Sequence, residues 1–509
     1  MAARRRPPFL LALDQGTTSS RAIVFDAAGR RVGLGRSTLP QLYPQPGWVE
    51  HDPSTLWAGQ AEAWRAALRA ADLEPGAIAA LGIANQRETT LVWERSSGRP
   101  VGNAIGWQDR RTAGLCRTLE AEGWAPLVAE RTGLCCDPYF SATKLAWILA
   151  HTPGAPEAAA RGDLLFGTVD TWLLWQLTAG RVHATDATNA SRTMLWDAGR
   201  LQWDGDLLGR LGIPRAMLPE VRPSPGDFGR TDARVFGAEV PVTALAGDQQ
   251  AALFGQGCWV PGAAKNTYGT GCFLLLHRGT DGGAVGGGLL RTVALWDGGR
   301  PEYAVEGSVF SAGSAVEWLC DLGLLRRPGE LERWAATVAD GGGAWVVPAF
   351  AGLGAPHWDP DARGTVVGLT RGTGRAHLCR AVLEAIAHQS RDVFALMCAQ
   401  TGLSVPELRV DGGGARGALL LQVQADLLGV PVVRSAQVEG TALGAALLAG
   451  LGAGVWGGRA ELARLVGGGT VFEPRVGEDE RRRRVAQWRR AVERSRHWAQ
   501  GAEEAGAGA

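Results

Sequence analysis

The stretch Phe9-Leu10-Leu11-Ala12-Leu13-Asp14-Gln15-Gly16-Thr17-Thr18-Ser19-Ser20-Arg21-Ala22-Ile23-Val24-Phe25 is two apolar runs joined by a polar turn. It reads as a strand, turn, strand hairpin that closes at Asp26-Ala27-Ala28-Gly29. A comparable opening recurs in the second half of the chain. There Val242 to Ala246 ends at Gly247-Asp248, and Lys265-Asn266-Thr267-Tyr268-Gly269-Thr270-Gly271 runs into the apolar Cys272 to Leu276. Two halves that each open on a Gly/Thr-rich turn predict duplicated α/β domains facing one another across a cleft, with a boundary near residues 250 to 260.

Both turns carry the donors that phosphate needs. Gly, Thr and Ser present backbone N–H groups and hydroxyls to phosphate oxygens, and Asp14 at a strand end is placed to hold hydrated Mg²⁺. One such turn alone is an ordinary polar hairpin whose Ser and Thr satisfy their own backbone. Two at equivalent places make a pincer for a triphosphate. A third glycine cluster, Asp411-Gly412-Gly413-Gly414-Ala415-Arg416-Gly417, lies between the strand Leu408 to Val410 and the helix Ala418 to Leu428. It satisfies the dinucleotide fingerprint, with Arg434 after the next strand as a partner for NADP, and it equally suits an adenosine lying against backbone.

Composition narrows the field. The 509 residues imply at least two domains with buried cores, and 46% hydrophobic with 20% charged residues is ordinary globular chemistry. A net charge of +1 argues against a nucleic acid or other polyanion as partner. Among 52 Lys and Arg residues only Lys144 and Lys265 are lysine, and neither lies in a P-loop or in the protein kinase strand motif. The apolar run after the basic N-terminus stops at Asp14, short of the roughly 7 to 15 residues of a secretion signal. No stretch approaches the roughly 18 apolar residues of a membrane helix. Eight scattered cysteines without a Cys-x-x-Cys pair point to buried thiols in a reducing cytoplasm.

Candidate substrate groups follow a short apolar strand, Ala79 to Ala84, which runs out into Asn85-Gln86-Arg87-Glu88-Thr89-Thr90. Arg87 and Glu88 at a strand end offer a donor fork and an acceptor to neighbouring hydroxyls of a polyol; taken alone they read as a surface ion pair. Trp107, Tyr139 and Phe140 can wall carbon-bound hydrogens or simply fill core. Asp248 can orient a hydroxyl and accept its proton, or serve as a helix N-cap. Further helices are expected after Asp52-Pro53-Ser54, over Leu378 to Met397, and over Asp479 to Gln500, where Val485, Trp488, Val492 and Trp498 recur at near-helical spacing; Gly501 to Ala509 should be disordered.

These motifs, with Pro46-Gly47-Trp48-Val49-Glu50-His51-Asp52, Asn266 to Phe273 and Gly368-Leu369-Thr370-Arg371-Gly372, resemble the FGGY carbohydrate kinase family over roughly residues 8 to 455. The resemblance implies two actin-like ATPase (ribonuclease H-like) domains flanking a central cleft: 8–256 with the polyol pocket and first phosphate turn, 257–476 with the second turn and adenosine site, then a C-terminal helix and tail over 477–509. It implies transfer of phosphate from Mg-ATP to glycerol. By resemblance Arg87, Glu88, Trp107, Tyr139, Asp248, Gln249 and Phe273 line the glycerol pocket, with Asp248 as base. Thr17, Thr18, Ser19, Arg21, Thr270, Gly313, Glu317, Gly413 and Gly417 contact ATP, and Asp14 with Asp248 takes the metal. Phosphate handling then rests on Mg²⁺, backbone N–H groups, hydroxyls and Arg21. A homo-dimer or homo-tetramer without membrane insertion is implied as well.

Departures from the family pattern carry their own expectations. Ala150 takes a position commonly acidic; Ser141, Lys144 and Trp147 match that signature. Glu317 stands where many glycerol-phosphorylating members have Gln, and Gly417 where an Asn usually meets the adenine, so shape and stacking should hold the base. The segment Thr231-Asp232-Ala233-Arg234-Val235-Phe236-Gly237 has neither the fructose 1,6-bisphosphate loop nor a phosphorylatable His. Three rivals stay open at this level: another sugar kinase, an NADP oxidoreductase, and a non-catalytic actin-like or chaperone ATPase.

Overall fold

A computed structural model of the chain describes residues 7–437 and 439–499. The opening hairpin is present as β1 (Phe9–Gln15) and β2 (Ser19–Phe25), antiparallel with Leu13 opposite Ala22. With β3 (Arg31–Thr38), β4 (Ile78–Asn85) and β5 (Val242–Gly247) they form a five-stranded sheet in the order β5-β4-β1-β2-β3, in which β1, β4 and β5 run parallel. All seven residues of β1 are buried, the signature of a strand covered on both faces.

The second sheet contains β6 (Ala264–Tyr268), β7 (Cys272–Gly279), β8 (Leu290–Leu295), β9 (Glu302–Val309), β10 (Leu408–Asp411), β11 (Val432–Ser435) and β12 (Gly469–Phe472). Its order is β8-β9-β7-β6-β10-β11-β12. With the outer β8 and β12 set aside, strand order and directions repeat those of the first sheet. The duplication expected from the two turns is therefore a duplication of topology.

Helices cover both sheets. In α1 (Pro53–Ala71) the Asp52 carboxylate accepts from the Ser54 N–H and Pro53 occupies the first turn, a cap worth about 1 kcal/mol. The remaining helices used below are α2 (Ser141–His151), α3 (Asp248–Gly255), α4 (Gly313–Asp321), α5 (Arg375–Thr401), α6 (Ala418–Leu428), α7 (Gly440–Gly452) and α8 (Glu478–Ser495). Although α7 comes late in the chain, it lies on the first sheet. Leu443 and Leu447 join Leu10, Ile23 and Phe25 in one core, and Thr243 Oγ1 donates to the Ala449 carbonyl at 2.8 Å. This contact is backbone-close because glycines permit it: a Cβ on Gly444 would overlap the Ala251 carbonyl of α3, and one on Gly82 the Ala445 carbonyl.

Two expectations need correction. The C-terminal helix ends at Ser495, and Trp498 is 71% exposed instead of continuing the apolar stripe of Val485, Trp488 and Val492. The chain leaves the helix because Arg496 is extended and His497, with φ +54°, gives its N–H to Asp359 Oδ2 at 3.0 Å. Asp248 is the first residue of α3 rather than its N-cap, a place taken by Gly247. In the segment 231–237, Asp232 caps a short helix and pairs with Arg181 and Arg234. The expected disorder of 501–509 and the end of the predicted helix at Gln500 lie outside the described residues. No helix among the described residues is long and apolar enough to cross a membrane.

Candidate active site

Three parallel strands end side by side, with Gln15 and Gly247 both opposite Asn85. Their carboxyl ends deliver Asp14, the Arg87-Glu88 pair and Asp248 to one edge of the sheet, where ligands of open α/β sheets bind. Arg87, Glu88, Trp107, Tyr139, Asp248, Gln249 and Phe273 all line a single cavity of about 120 Å³, together with Thr17 and Thr270 from the two turns. Trp107 stands edge-on to both Tyr139 (5.6 Å between centroids) and Phe273 (6.1 Å), and its Nε1 donates to Thr17 Oγ1 at 3.0 Å.

Arg87 and Glu88 are buried, not a surface pair. Arg87 forks onto Glu306 through Nη1–Oε2 at 2.5 Å and Nη2–Oε1 at 2.9 Å. Arg192 closes the ring, donating from Nη2 to Glu306 Oε1 at 3.0 Å and from Nε to Glu88 Oε1 at 2.6 Å. These four side chains are at most 2% exposed. Burial works against the charge on Glu306, but Arg192 and Arg87 outweigh it and hold its carboxyl at about 2. Removing one member would leave a buried charge uncompensated.

Glu88 has φ +63°, a left-handed conformation that a bulky residue adopts only when its surroundings impose it. Here its carbonyl accepts from Thr90 Oγ1 at 3.0 Å, Ser141 Oγ at 3.1 Å and Lys144 Nζ at 3.3 Å. Lys144 also donates to the Tyr139 carbonyl at 2.6 Å, so one ammonium on α2 pins two residues of the cavity wall. Burial lowers its pKa to about 7.

Asp248 faces the cavity with its side chain 27% accessible, 3.4 Å from Arg87 Nε. The cleft shields it from bulk water, which raises its pKa; Arg87 and Lys265 pull it back, and Asp14 adds to the rise. Asp14 is itself raised by burial, against the pull of Arg21. Arg21 is engaged, bridging Asp14 Oδ2 at 2.7 Å and Glu439 Oε2 at 2.9 Å. The donor set suits Mg²⁺: Asp14 and Asp248 are hard oxygen donors, and Asp14 Oδ2 is buried without an aligned hydrogen bond. No cluster of three or more metal-ligating residues exists among the described residues, so the protein offers a carboxylate pair rather than a cage.

The candidate nucleotide wall is built differently. Thr18 is exposed and Ser19 starts β2 half-buried. The turn Gly269-Thr270-Gly271 seats the start of α4: Ala312 N–H donates to the Thr270 carbonyl at 2.9 Å, and Gly313 N–H to the Gly269 carbonyl at 3.1 Å. Gly313 has no room for a side chain, since a Cβ would lie 2.7 Å from the Gly269 carbonyl oxygen. Glu317, one turn along α4, is exposed. On the neighbouring strand of the same sheet, Gly412 has φ +88° and its α-carbon faces the Tyr268 carbonyl, while Gly413 has open space around it. A Cβ at Gly417 would overlap Glu332 Oε1, which accepts from the Leu420 N–H at 3.0 Å.

Comparison with known proteins agrees with this architecture. Residues 9–255 match the N-terminal domain, and residues 264–453 the C-terminal domain, of the FGGY family of carbohydrate kinases. The chain belongs to the FGGY family of carbohydrate kinases. This FGGY kinase is 55% identical to a glycerol kinase of Bordetella parapertussis over 496 residues, covering 96% of this chain and 97% of that protein. It is 54% identical to a glycerol kinase of Symbiobacterium thermophilum, covering 96% and 99%. The crystal structure of Plasmodium falciparum glycerol kinase with ADP superposes with a TM-score of 0.89 at 33% identity, covering 96% of this chain and 98% of that one. A gluconate kinase from Lactobacillus acidophilus, at 21% identity and TM-score 0.85 over 97% of this chain and 99% of that one, shares the fold.

In this FGGY kinase the sequence reading missed Arg192, Glu306 and Lys265. Arg192 and Glu306 have no motif of their own; they matter because folding brings residues 104 and 219 positions away onto Glu88 and Arg87. Lys265 is one of the two lysines and heads a Gly/Thr-rich segment, but neither fact points to the contacts that it makes.

Proposed function

We propose that the chain phosphorylates a terminal hydroxyl of glycerol with ATP, giving sn-glycerol 3-phosphate and ADP. The observation that carries this reading is the convergence of all seven polyol candidates on one small cavity between the two glycine turns. A volume near 120 Å³ favours a three-carbon polyol over a pentulose. Arg87 and Glu88 hold neighbouring hydroxyls from a buried ring of two arginines and two glutamates, and the aromatic edges of Trp107 and Phe273 cover the carbon side.

Asp248 accepts the proton of the attacking hydroxyl as its oxygen bonds to the γ-phosphorus and the bond to the β–γ bridging oxygen breaks, releasing ADP. A carboxylate is a weak base for an alcohol, which suffices where the transition state is loose and positioning supplies most of the catalysis. Asp14 and Asp248 would hold Mg²⁺, which would supply positive charge to offset that of the transferred group. The backbone of Gly16 to Ser19 and Gly269 to Gly271 cradles the phosphates, and Gly413 and Gly417 border the base.

We further assign the enzyme to the cytoplasm, feeding glycerol catabolism and glycerolipid synthesis, as a dimer or tetramer without fructose 1,6-bisphosphate or phosphohistidine control. Purified protein should consume ATP only when glycerol is present, and a panel of polyols and ketoses with coupled ADP detection should rank glycerol first. ATP turnover indifferent to polyol, or a pentulose preferred over glycerol, refutes the reading.

A further inference from the structure

Of the 52 Lys and Arg residues in this chain, Lys144 and Lys265 are the two lysines. Both are 0% exposed. On the surface a guanidinium replaces an ammonium freely; in a closed polar site it does not, because its planar fork carries five donors where the ammonium carries three around one point. Lys144 serves the backbone of Glu88 and Tyr139, as described above. Lys265 has a different environment, and nothing in the mechanism above uses it.

Lys265 and Thr267 alternate on β6 and so face the same side of the second sheet. Lys265 Nζ donates to Gln249 Oε1 of α3 and, at 2.9 Å, to Thr267 Oγ1. Thr267 Oγ1 passes the chain on to Asp411 Oδ1 at 2.6 Å, and Asp411 ends β10 immediately before Gly412 and Gly413. One buried ammonium thereby ties Gln249, which lines the polyol cavity next to Asp248, to the turn that borders the nucleotide wall. Gln249 lies on α3, which follows the last strand of the first sheet, whereas Thr267 and Asp411 sit opposite one another on the paired strands β6 and β10 of the second sheet, so the Lys265–Gln249 contact is what links the two.

We propose that Lys265 is a positioning residue for phosphoryl transfer: it holds Gln249 against the polyol and the Thr267–Asp411 pair under the phosphate side in one fixed frame. The inference rests on the kinase reading. It predicts that charge at position 265 is insufficient and that the shape of the ammonium matters, since a guanidinium would displace Gln249, Thr267 or both.

The test uses full-length wild type, Lys265→Arg and Lys265→Met, with glycerol and ATP each varied and ADP release measured, alongside thermal melting. The expected result is that Lys265→Arg melts close to wild type yet loses about 100-fold in kcat/KM for glycerol, the scale of a misplacement near 1 Å. The loss is shared between a raised glycerol KM and a lowered kcat, which a purely structural role would not produce in a protein that melts normally. Gln249→Ala should add little to Lys265→Met, because the same contact is already gone. Lys265→Arg with kcat and both KM values within about twofold of wild type overturns the inference. Should both position-265 variants fail to fold, the double-mutant cycle of Gln249→Ala with Thr267→Val in the lysine background decides: coupled effects support the frame, and additive effects overturn it. Absence of glycerol-dependent turnover in wild type overturns the kinase reading and this inference together, whereas normal wild-type turnover with unaffected variants overturns this inference alone.

Discussion

In the proposed reading the two walls of the cleft would recognise their ligands by opposite means. The polyol wall is a set of buried side chains in which Arg87, Glu88, Arg192 and Glu306 are held by their own ion pairs and hydrogen bonds. The nucleotide wall is mostly glycine and backbone, with Thr18 and Glu317 exposed and Gly413 standing in open space. A preorganised charge ring can hold a small polyol at fixed hydroxyl positions, whereas a bare backbone admits a large ligand by shape. The first wall should therefore break when a side chain is removed, and the second should respond mainly when one is added.

The largest effect is expected where the two walls meet. Asp248→Asn keeps size and hydrogen bonding but cannot take the proton, so kcat should fall by about 10²- to 10⁴-fold while both KM values stay within a few-fold. Steady-state assays with glycerol and ATP check this. A near wild-type kcat would remove Asp248 as the base and leave positioning as the whole of catalysis.

Next comes the ring. Glu306→Gln leaves two buried guanidiniums facing a neutral amide, which should cost about 3–5 kcal/mol and raise the glycerol KM without touching the ATP KM. Its pH signature has a definite sign. Folding lowers the Glu306 carboxyl from 4.5 to about 2, so as the pH falls the unfolded chain takes up the proton first. The stabilisation is complete above about 4.5 and is lost as pH drops towards about 2. Urea midpoints measured across that window should slope less in Glu306→Gln than in wild type. Equal slopes would show that other carboxylates, not the ring, govern acid unfolding.

The contrast between the walls also explains what could be read from the residues alone. Turns such as Asp14 to Arg21 and Thr267 to Gly271 announce themselves because glycine and hydroxyl residues do their work through local backbone, and local backbone is written in adjacent letters. The same holds for β4, whose apolar run ends where Arg87 begins. The ring is illegible for the converse reason. Glu306 is one residue of a buried strand, and its meaning comes from the pairing of β9 with β7 and the approach of a loop from the other sheet. Taken alone, Arg87 and Glu88 allow a surface pair because nothing near them in sequence shows what covers them. Lys144 lies between: it matches the family signature, but only the fold shows that it pins the left-handed Glu88. Arg21, expected to meet phosphate, also pairs with Asp14 and with Glu439, 418 residues away, a link no local motif shows.

The smallest effect tests the nucleotide wall by addition. At Gly417 a side chain would meet Glu332 Oε1, the far end of a flexible residue, so Gly417→Asn is accommodated if Glu332 swings away and gives up its bond to the Leu420 N–H. A bond gained to the base and one lost at the start of α6 each amount to about 0.5–1.5 kcal/mol, so the ATP KM should fall by no more than about tenfold with little change in melting temperature. The ratio of ATP to GTP use is the sensitive readout, because an amide placed there donates and accepts where the wild-type wall offers only shape. The glycerol KM should not move, since Gly417 and the charge ring share no contact. If it moves in parallel with the ATP KM, the two walls are not separate recognisers, and the ring must be viewed as sensing the nucleotide side as well.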